Sequence, residues 1–264
     1  MNGISDPDSV YKRASMRVVP VPCLKDNFAY LVIDETARKC AVVDPGEAKP
    51  VEAALAREQV ELVAIWATHH HHDHVGGIAE LIARRSGIQV VIGERDAAKV
   101  STANAKLADG GTFTLGDLRG HAIHNPGHTL GAITFVIEGC AFTGDTLFGG
   151  GCGRLFEGDA AMMLASLTRL AALPPETRVY FGHEYTASNL KFAAAVEPDN
   201  ADIAARARDM PTPSTPSTIA IERDTNPFLR TRERAVITAA MERGSGGDPA
   251  SVFAAIRSWK DNFR

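Results

Sequence analysis

Residues 68–77 read Thr-His-His-His-His-Asp-His-Val-Gly-Gly, five imidazoles and one carboxylate in six consecutive positions after the apolar run Leu62–Ala67. No packing requirement calls for that composition. The run Leu62–Ala67 has the length and character of a buried strand, and Ile78, Leu81 and Ile82 recur at helical spacing before Gly87, which predicts a helix over 75–85. The histidines therefore stand between a strand and a helix, at the carboxyl end of the strand, where open α/β layers bind ligands. A solvated or appended histidine run would lack both the strand before it and the Gly-Gly turn after it.

Side chains two apart on an extended segment point the same way, so His69 and His71 can converge on one point while His70 and His72 face elsewhere. Where the chain turns into the helix, Asp73 and His74 can aim at a second point nearby. Imidazole nitrogens with carboxylates suit zinc, and also iron or manganese; without a thiolate the set favours an open catalytic site over a closed structural one.

Three further strand-like runs end in metal-binding residue types. The segment containing Ile123 leads to His124-Asn-Pro-Gly-His128, Cys140-Ala-Phe-Thr runs into Gly144-Asp145, and Arg178-Val-Tyr-Phe runs into Gly182-His183. Two divalent ions are the expected cofactor, His69, His71 and His128 serving one, Asp73, His74 and His183 the other, and Asp145 bridging. His121 and His124 have no partner in the sequence and are left out. Asp44, in Asp44-Pro-Gly, makes a turn or orients a histidine, and the sequence does not choose between the two roles.

The rest of the chain frames this centre. Short strands over Val18–Val21, Ala29–Ile33 and Cys40–Val43, a helix over 48–58, the strand Leu62–Ala67 and a further strand Gln89–Ile92 precede a second strand-rich stretch that includes 132–137 and 140–143. The order strands, helix, strands, helix predicts an α/β αββα sandwich. Beyond residue 185 strands become scarce, and helices are expected over 187–196, 201–208, 231–243 and 249–259, the last opening on Asp248-Pro249 as cap and first turn. The expected division is a metal-binding domain over 16–185, a helical domain over 186–264 that is placed to bind substrate, and a disordered extension over 1–15.

Composition excludes several classes. A net charge of −4 offers no general attraction for nucleic acid, and no apolar run reaches the length of a membrane-spanning helix. Four cysteines without a CxxC pair, and an amino-terminal segment without an apolar stretch, fit a cytoplasmic protein without disulfides. A monomer is expected.

Two divalent ions can share a hydroxide and stabilise an oxyanion, so hydrolysis is the reaction class implied, with Asp73 and Asp145 as its carboxylates. No Gly-x-Ser-x-Gly elbow supplies another nucleophile. A thioester suits such a centre, because its thiolate departs with a pKa of about 8.5 whereas an amide nitrogen needs a general acid.

Through Thr68-His-His-His-His-Asp-His74, His128, Asp145 and His183 the chain resembles the metallo-β-lactamase superfamily, and with it that superfamily's αββα sandwich. Gly144-Asp-Thr-Leu-Phe, Gly151-Cys-Gly-Arg-Leu-Phe-Glu-Gly, Gly182-His-Glu-Tyr-Thr, Asn226-Pro-Phe-Leu-Arg and Arg257-Ser-Trp-Lys-Asp-Asn-Phe are similar to segments of the glyoxalase II (hydroxyacylglutathione hydrolase) family. That resemblance implies hydrolysis of S-D-lactoylglutathione to D-lactate and glutathione, in methylglyoxal detoxification. It also implies that Arg154, Phe156, Tyr185, Arg257 and Lys260 meet the glutathione moiety. The family commonly has Lys at position 154 and Tyr at position 156, so Arg154 and Phe156 imply an altered affinity. A glutathione persulfide dioxygenase on the same fold is the alternative, but such enzymes carry Gly-Arg-x-Asp-Phe where this chain has Gly153-Arg-Leu-Phe-Glu.

Overall fold

The computed structural model describes residues 15–263; of the extension expected over 1–15, all but Ser15 lies outside them. Two six-stranded sheets face each other. The first runs in sequence order through β1 (Met16–Cys23), β2 (Asn27–Asp34), β3 (Lys39–Val43), β4 (Glu61–Ala67), β5 (Gln89–Gly93) and β6 (Ala105–Leu107). Its first three strands form an antiparallel meander, and β3 to β6 are parallel. The second has the order β14 (Ser217–Thr218), β13 (Arg178–Phe181), β10 (Cys140–Gly144), β9 (Ile133–Ile137), β8 (Leu118–His124), β7 (Thr112–Leu115). A small hairpin, β11 (Leu147–Phe148) with β12 (Gly151–Cys152), follows β10.

The alternation along β2 shows why two layers stack. All eight residues are buried. Phe28, Tyr30 and Val32 turn toward the second sheet, while Ala29, Leu31 and Ile33 meet Val51 and Leu55 of α1 (Ala48–Glu58) on the opposite face. Between the sheets, Trp66 packs against Phe113 and Phe135 at ring separations of 4.6 and 5.5 Å. The Tyr30 hydroxyl crosses the same interface to donate to the Phe181 carbonyl at 2.6 Å.

The helix expected over 75–85 is broken into α2 (His72–Val75) and α3 (Ile78–Ala83). The interruption lies at Gly76-Gly77, where a Cβ on Gly77 would stand 2.6 Å from the Glu47 carbonyl carbon. Helix α4 (Ala160–Ala171) lies where the sequence reading names no element. Its signal was present in the Asp159 cap, which accepts from the Met162 amide at 2.8 Å, and in Met163, Leu167 and Leu170 at helical spacing.

Beyond residue 185 the chain forms α5 (Thr186–Val196), α6 (Ala201–Asp209), α7 (Ile219–Thr225), α8 (Arg234–Met241) and α9 (Pro249–Asn262). The region is not purely helical, since β14 pairs antiparallel with β13. Helix α8 starts three residues later than expected because residues 231–233 form a further turn, in which the Glu233 amide donates to the Arg230 carbonyl at 2.9 Å. Phe228, Val252, Phe253 and Ile256 share one buried apolar cluster with Met163 and Leu167 of α4, so that α9 packs against α4. Among the described residues, no helix is long and apolar enough to cross a membrane.

Candidate dinuclear metal centre and adjoining pocket

Four strand ends deliver the expected donors to one place. Strand β4 opens into the loop and α2 that carry His69, His71, Asp73 and His74; β8 leads to His128; β10 and β13, paired in parallel, end beside Asp145 and His183.

One group comprises His69, His71 and His128 and another Asp73, His74 and His183. In the first, His71 Nδ1 lies 3.1 Å from His69 Nε2 and 3.0 Å from His128 Nε2. In the second, Asp73 Oδ2 lies 3.5 Å from His74 Nε2 and 3.4 Å from His183 Nε2. Asp145 stands between the groups: Oδ2 is 3.4 Å from His128 Nε2 and 3.3 Å from His183 Nε2, and Oδ1 is 3.3 Å from His74 Nε2. Ligands at about 2.0–2.1 Å in a tetrahedron stand about 3.3–3.4 Å from one another, so these separations match a shared divalent ion. His74 Nε2 and Asp145 Oδ1 are, moreover, buried without a hydrogen-bond partner. The donors fit a divalent metal site.

Outer contacts set the ring orientations. His69 Nδ1 meets Thr68 Oγ1 at 3.0 Å, His74 Nδ1 meets Asp44 Oδ2 at 3.0 Å, His128 Nδ1 meets the Arg154 carbonyl at 2.9 Å, and His183 Nδ1 meets Asp26 Oδ1 at 2.9 Å. In these four rings Nε2 is left facing the centre; His71 presents Nδ1. Asp44 resolves its two readings in favour of both, with φ 49° in the turn and its carboxylate bound to Thr68 and His74. Its oxygens are thereby occupied, although it lies near His69 and His74.

Electrostatics divides the groups. Burial holds His69, His71 and His128 below the usual imidazole range, which keeps the lone pairs a metal needs. Burial opposes charge on His183 too, but is outweighed by its contacts with Asp145 and Asp73, which push it up to about 10. Burial likewise opposes charge on Asp145, yet the neighbouring His74 charge holds its carboxyl well below the ordinary range. The carboxylates thus favour positive charge at this point.

His70 and His72 point away, as alternation predicted, and His124, left out for want of a partner, also bonds elsewhere. His70 Nδ1 is 2.9 Å from Asp96 Oδ2, His72 is exposed, and His124 Nε2 reaches the Leu130 carbonyl at 2.9 Å.

A cavity of roughly 620 Å³ opens from the donors, and Arg154, Phe156, Tyr185, Arg257 and Lys260 all line it. Tyr185 stacks on His183 with rings 4.8 Å apart and 5° from parallel. Its hydroxyl is pushed up to about 12, by burial and then by the Asp26 charge, so it remains a donor. Phe156, 63% exposed, leans edge-on over His128 at 5.2 Å. Arg257 is buried, donating to the Cys152 carbonyl at 2.9 Å and to Asp261 Oδ1 at 3.0 Å, while its Nε has no partner. Lys260, one turn on, donates to the Ser188 carbonyl at 3.2 Å.

Sequence reasoning missed Asp26, Asn27, Asp96 and Asp261. Asp26 and Asn27 sit in a short polar turn that gave no sign of what it touches; Asp261 was legible, lying four residues after Arg257 on one helix.

Comparison with known proteins places family matches along the described chain. The family model described as metallo-beta-lactamase superfamily matches residues 25–183, and that described as hydroxyacylglutathione hydrolase C-terminus matches 184–263. The hydroxyacylglutathione hydrolase of Gloeobacter violaceus is 48% identical over 257 residues, 94% of this chain and 100% of that one. The crystal structure of ETHE1 from Myxococcus xanthus superposes with a TM-score of 0.64 at 26% identity, over 95% of this chain and 100% of that one. A crystal structure of a di-iron-bound protein gives a TM-score of 0.59 at 28% identity, over 80% and 100%.

Proposed function

The chain belongs to the hydroxyacylglutathione hydrolase family of the metallo-beta-lactamase superfamily, and from that premise we propose that its pocket hydrolyses S-(2-hydroxyacyl)glutathione, S-D-lactoylglutathione first among them, to glutathione and the 2-hydroxy acid. The observation that carries this reading is the placement of Asp145 between the two donor groups, in the buried wall of a cavity that Arg154, Arg257 and Lys260 also line. The persulfide dioxygenase alternative has less support, because the carboxyl-terminal family model and the Gloeobacter relative both bear the hydrolase name.

His69, His71 and His128 would hold one ion, and Asp73, His74 and His183 the other, with Asp145 common to both. When bound, divalent ions would polarise a thioester carbonyl and lower the pKa of a water molecule. Zinc suits the nitrogen and oxygen donors, and iron or manganese suit them as well. Contact with His183 holds the Asp73 carboxyl well below the ordinary carboxylate range, so Asp73 stays ionised and suited to hold a cation beside the cavity. The departing thiolate, with a pKa of about 8.5, needs no protein acid.

Substrate positioning falls to the walls. Tyr185 donates through its hydroxyl, Arg154, Arg257 and Lys260 supply charge for the glutathione carboxylates, and Phe156 covers the entrance apolarly where a tyrosine would add a hydrogen bond. We divide the chain near residue 185, the metal-binding part over 16–185 and the glutathione-binding part over 186–264. We further read it as a cytoplasmic monomer that engages neither nucleic acid nor membrane, supported by a net charge of −4 and four free, buried cysteines.

Release of free thiol from S-D-lactoylglutathione by metal-loaded protein tests the proposal, beside a chelated sample and Asp145→Asn. Metal-dependent turnover lost in the variant supports it. Folded, metal-loaded protein without turnover would reject the substrate, and oxygen uptake with glutathione persulfide would then identify the alternative.

A further inference from the structure

The turn joining β1 to β2 belongs to the first sheet, yet its tip is fastened to the second. The Glu184 amide donates to the Asp26 carbonyl at 2.8 Å, the Phe28 amide donates to the Gly182 carbonyl at 2.8 Å, and Asn27 forms an isolated antiparallel bridge with His183. Backbone bonds thus bracket His183 on both sides.

The two side chains at this tip reach the centre. Asp26 Oδ1 lies 2.9 Å from His183 Nδ1. Asn27, almost fully buried, donates through Nδ2 to Asp73 Oδ2 at 2.9 Å and to the Asp73 carbonyl at 3.2 Å. Both act on the Asp73, His74 and His183 group. In the other group the His69 ring rests on Thr68 and the His128 ring on the Arg154 carbonyl, whereas the side-chain hydrogen bonds of Asp26 and Asn27 go to His183 and Asp73.

Asp73 descends from the first sheet and His183 from the second, so their separation depends on how the layers sit. One turn that grips both residues removes that freedom. The Asp26 carboxylate also holds the proton of His183 on Nδ1 and raises the basicity of the nitrogen facing the centre.

We infer that Asp26 and Asn27 are positioning residues that set the affinity of one of the two metal sites, the one built from Asp73, His74 and His183, without setting that of the other. The inference rests on the two-ion reading above.

Stepwise titration of metal-free protein with Co2+, followed by its visible absorption and by bound-metal analysis, tests it separately from turnover. In Asp26→Ala and in Asn27→Ala, the second equivalent should bind about 10- to 100-fold more weakly while the first keeps its wild-type affinity. Asp26→Asn, which retains an acceptor oxygen for His183 Nδ1, should restore most of the loss. Equal weakening of both equivalents, unchanged binding of both, or an Asp26→Asn variant as weak as Asp26→Ala would each overturn the assignment. Wild-type protein that binds fewer than two equivalents would instead reject the two-ion reading, whatever the variants do.

Discussion

Asp44 and His74 are joined by a 3.0 Å contact between Oδ2 and Nδ1, and the same carboxylate accepts from the Thr68 amide and hydroxyl, each at 2.7 Å. One buried acid therefore fixes a ring of the metal centre and the residue that begins the histidine loop. Asp44→Ala should weaken metal binding by about 10- to 100-fold. It should also cost about 1–3 kcal/mol for each buried group left unsatisfied. Metal titration and thermal melting of metal-free protein measure the two separately; wild-type values in both would refute the role.

Arg257 combines a place in the cavity wall with a bond to the Cys152 carbonyl. Replacement by alanine should raise KM for S-D-lactoylglutathione about 10- to 100-fold, the equivalent of a charged hydrogen bond of about 1.5–3 kcal/mol. Steady-state kinetics that showed a fall in kcat alone would place Arg257 in another role.

Lys260 gives the pocket a pH dependence. Burial first, and then repulsion from Arg257, pushes its ammonium down to about 8, against the opposing charge of Asp261 and with Cys152 beside it; Arg154 pairs with Asp261 across the cavity. The ammonium is charged below that value and neutral above it. KM for the anionic thioester should therefore rise as the pH climbs through about 8, and the rise should vanish in Lys260→Met. For folding the direction is the reverse of a paired lysine: the folded value lies below an unfolded value of about 10.4, so stability increases with pH between the two. A flat wild-type KM profile across that window would count against the lysine.

Gly182 leaves room for the Asp145 carboxylate. A Cβ there would stand 2.4 Å from Asp145 Oδ1 and 2.7 Å from His74 Cε1. Gly182→Ala should displace Asp145, cost about 1–3 kcal/mol through overpacking and lower bound metal toward that of Asp145→Asn. Full metal content with normal turnover would show that the carboxylate does not need the space.

His69, Asp145 and His183 were legible because each follows a strand end, where a run of buried residues stops, and His71, Asp73 and His74 because they share the histidine run that His69 opens. The capped helix α9 was legible for the same local reason, Asp248 accepting from the Ala250 and Ser251 amides at 3.1 Å. Strand β14 was not: two residues carry no periodicity, and their pairing to β13 links Val179 with Ser217 across a long stretch of chain.

By itself the sequence determined the chemistry: which residues can bind a cation, that they lie at the ends of buried strands, and that two sheets with outer helices enclose them. Period and residue type are local properties and survive in a linear string. Only the tertiary structure decided which donors meet. The parallel pairing of β10 with β13 brings Asp145 beside His183, and the packing of one sheet on the other brings both to Asp73 and His74. These are contacts between residues far apart in sequence, set by register and layer packing, and that is also why the hold of Asp26 and Asn27 on the centre could not be read from the turn they occupy.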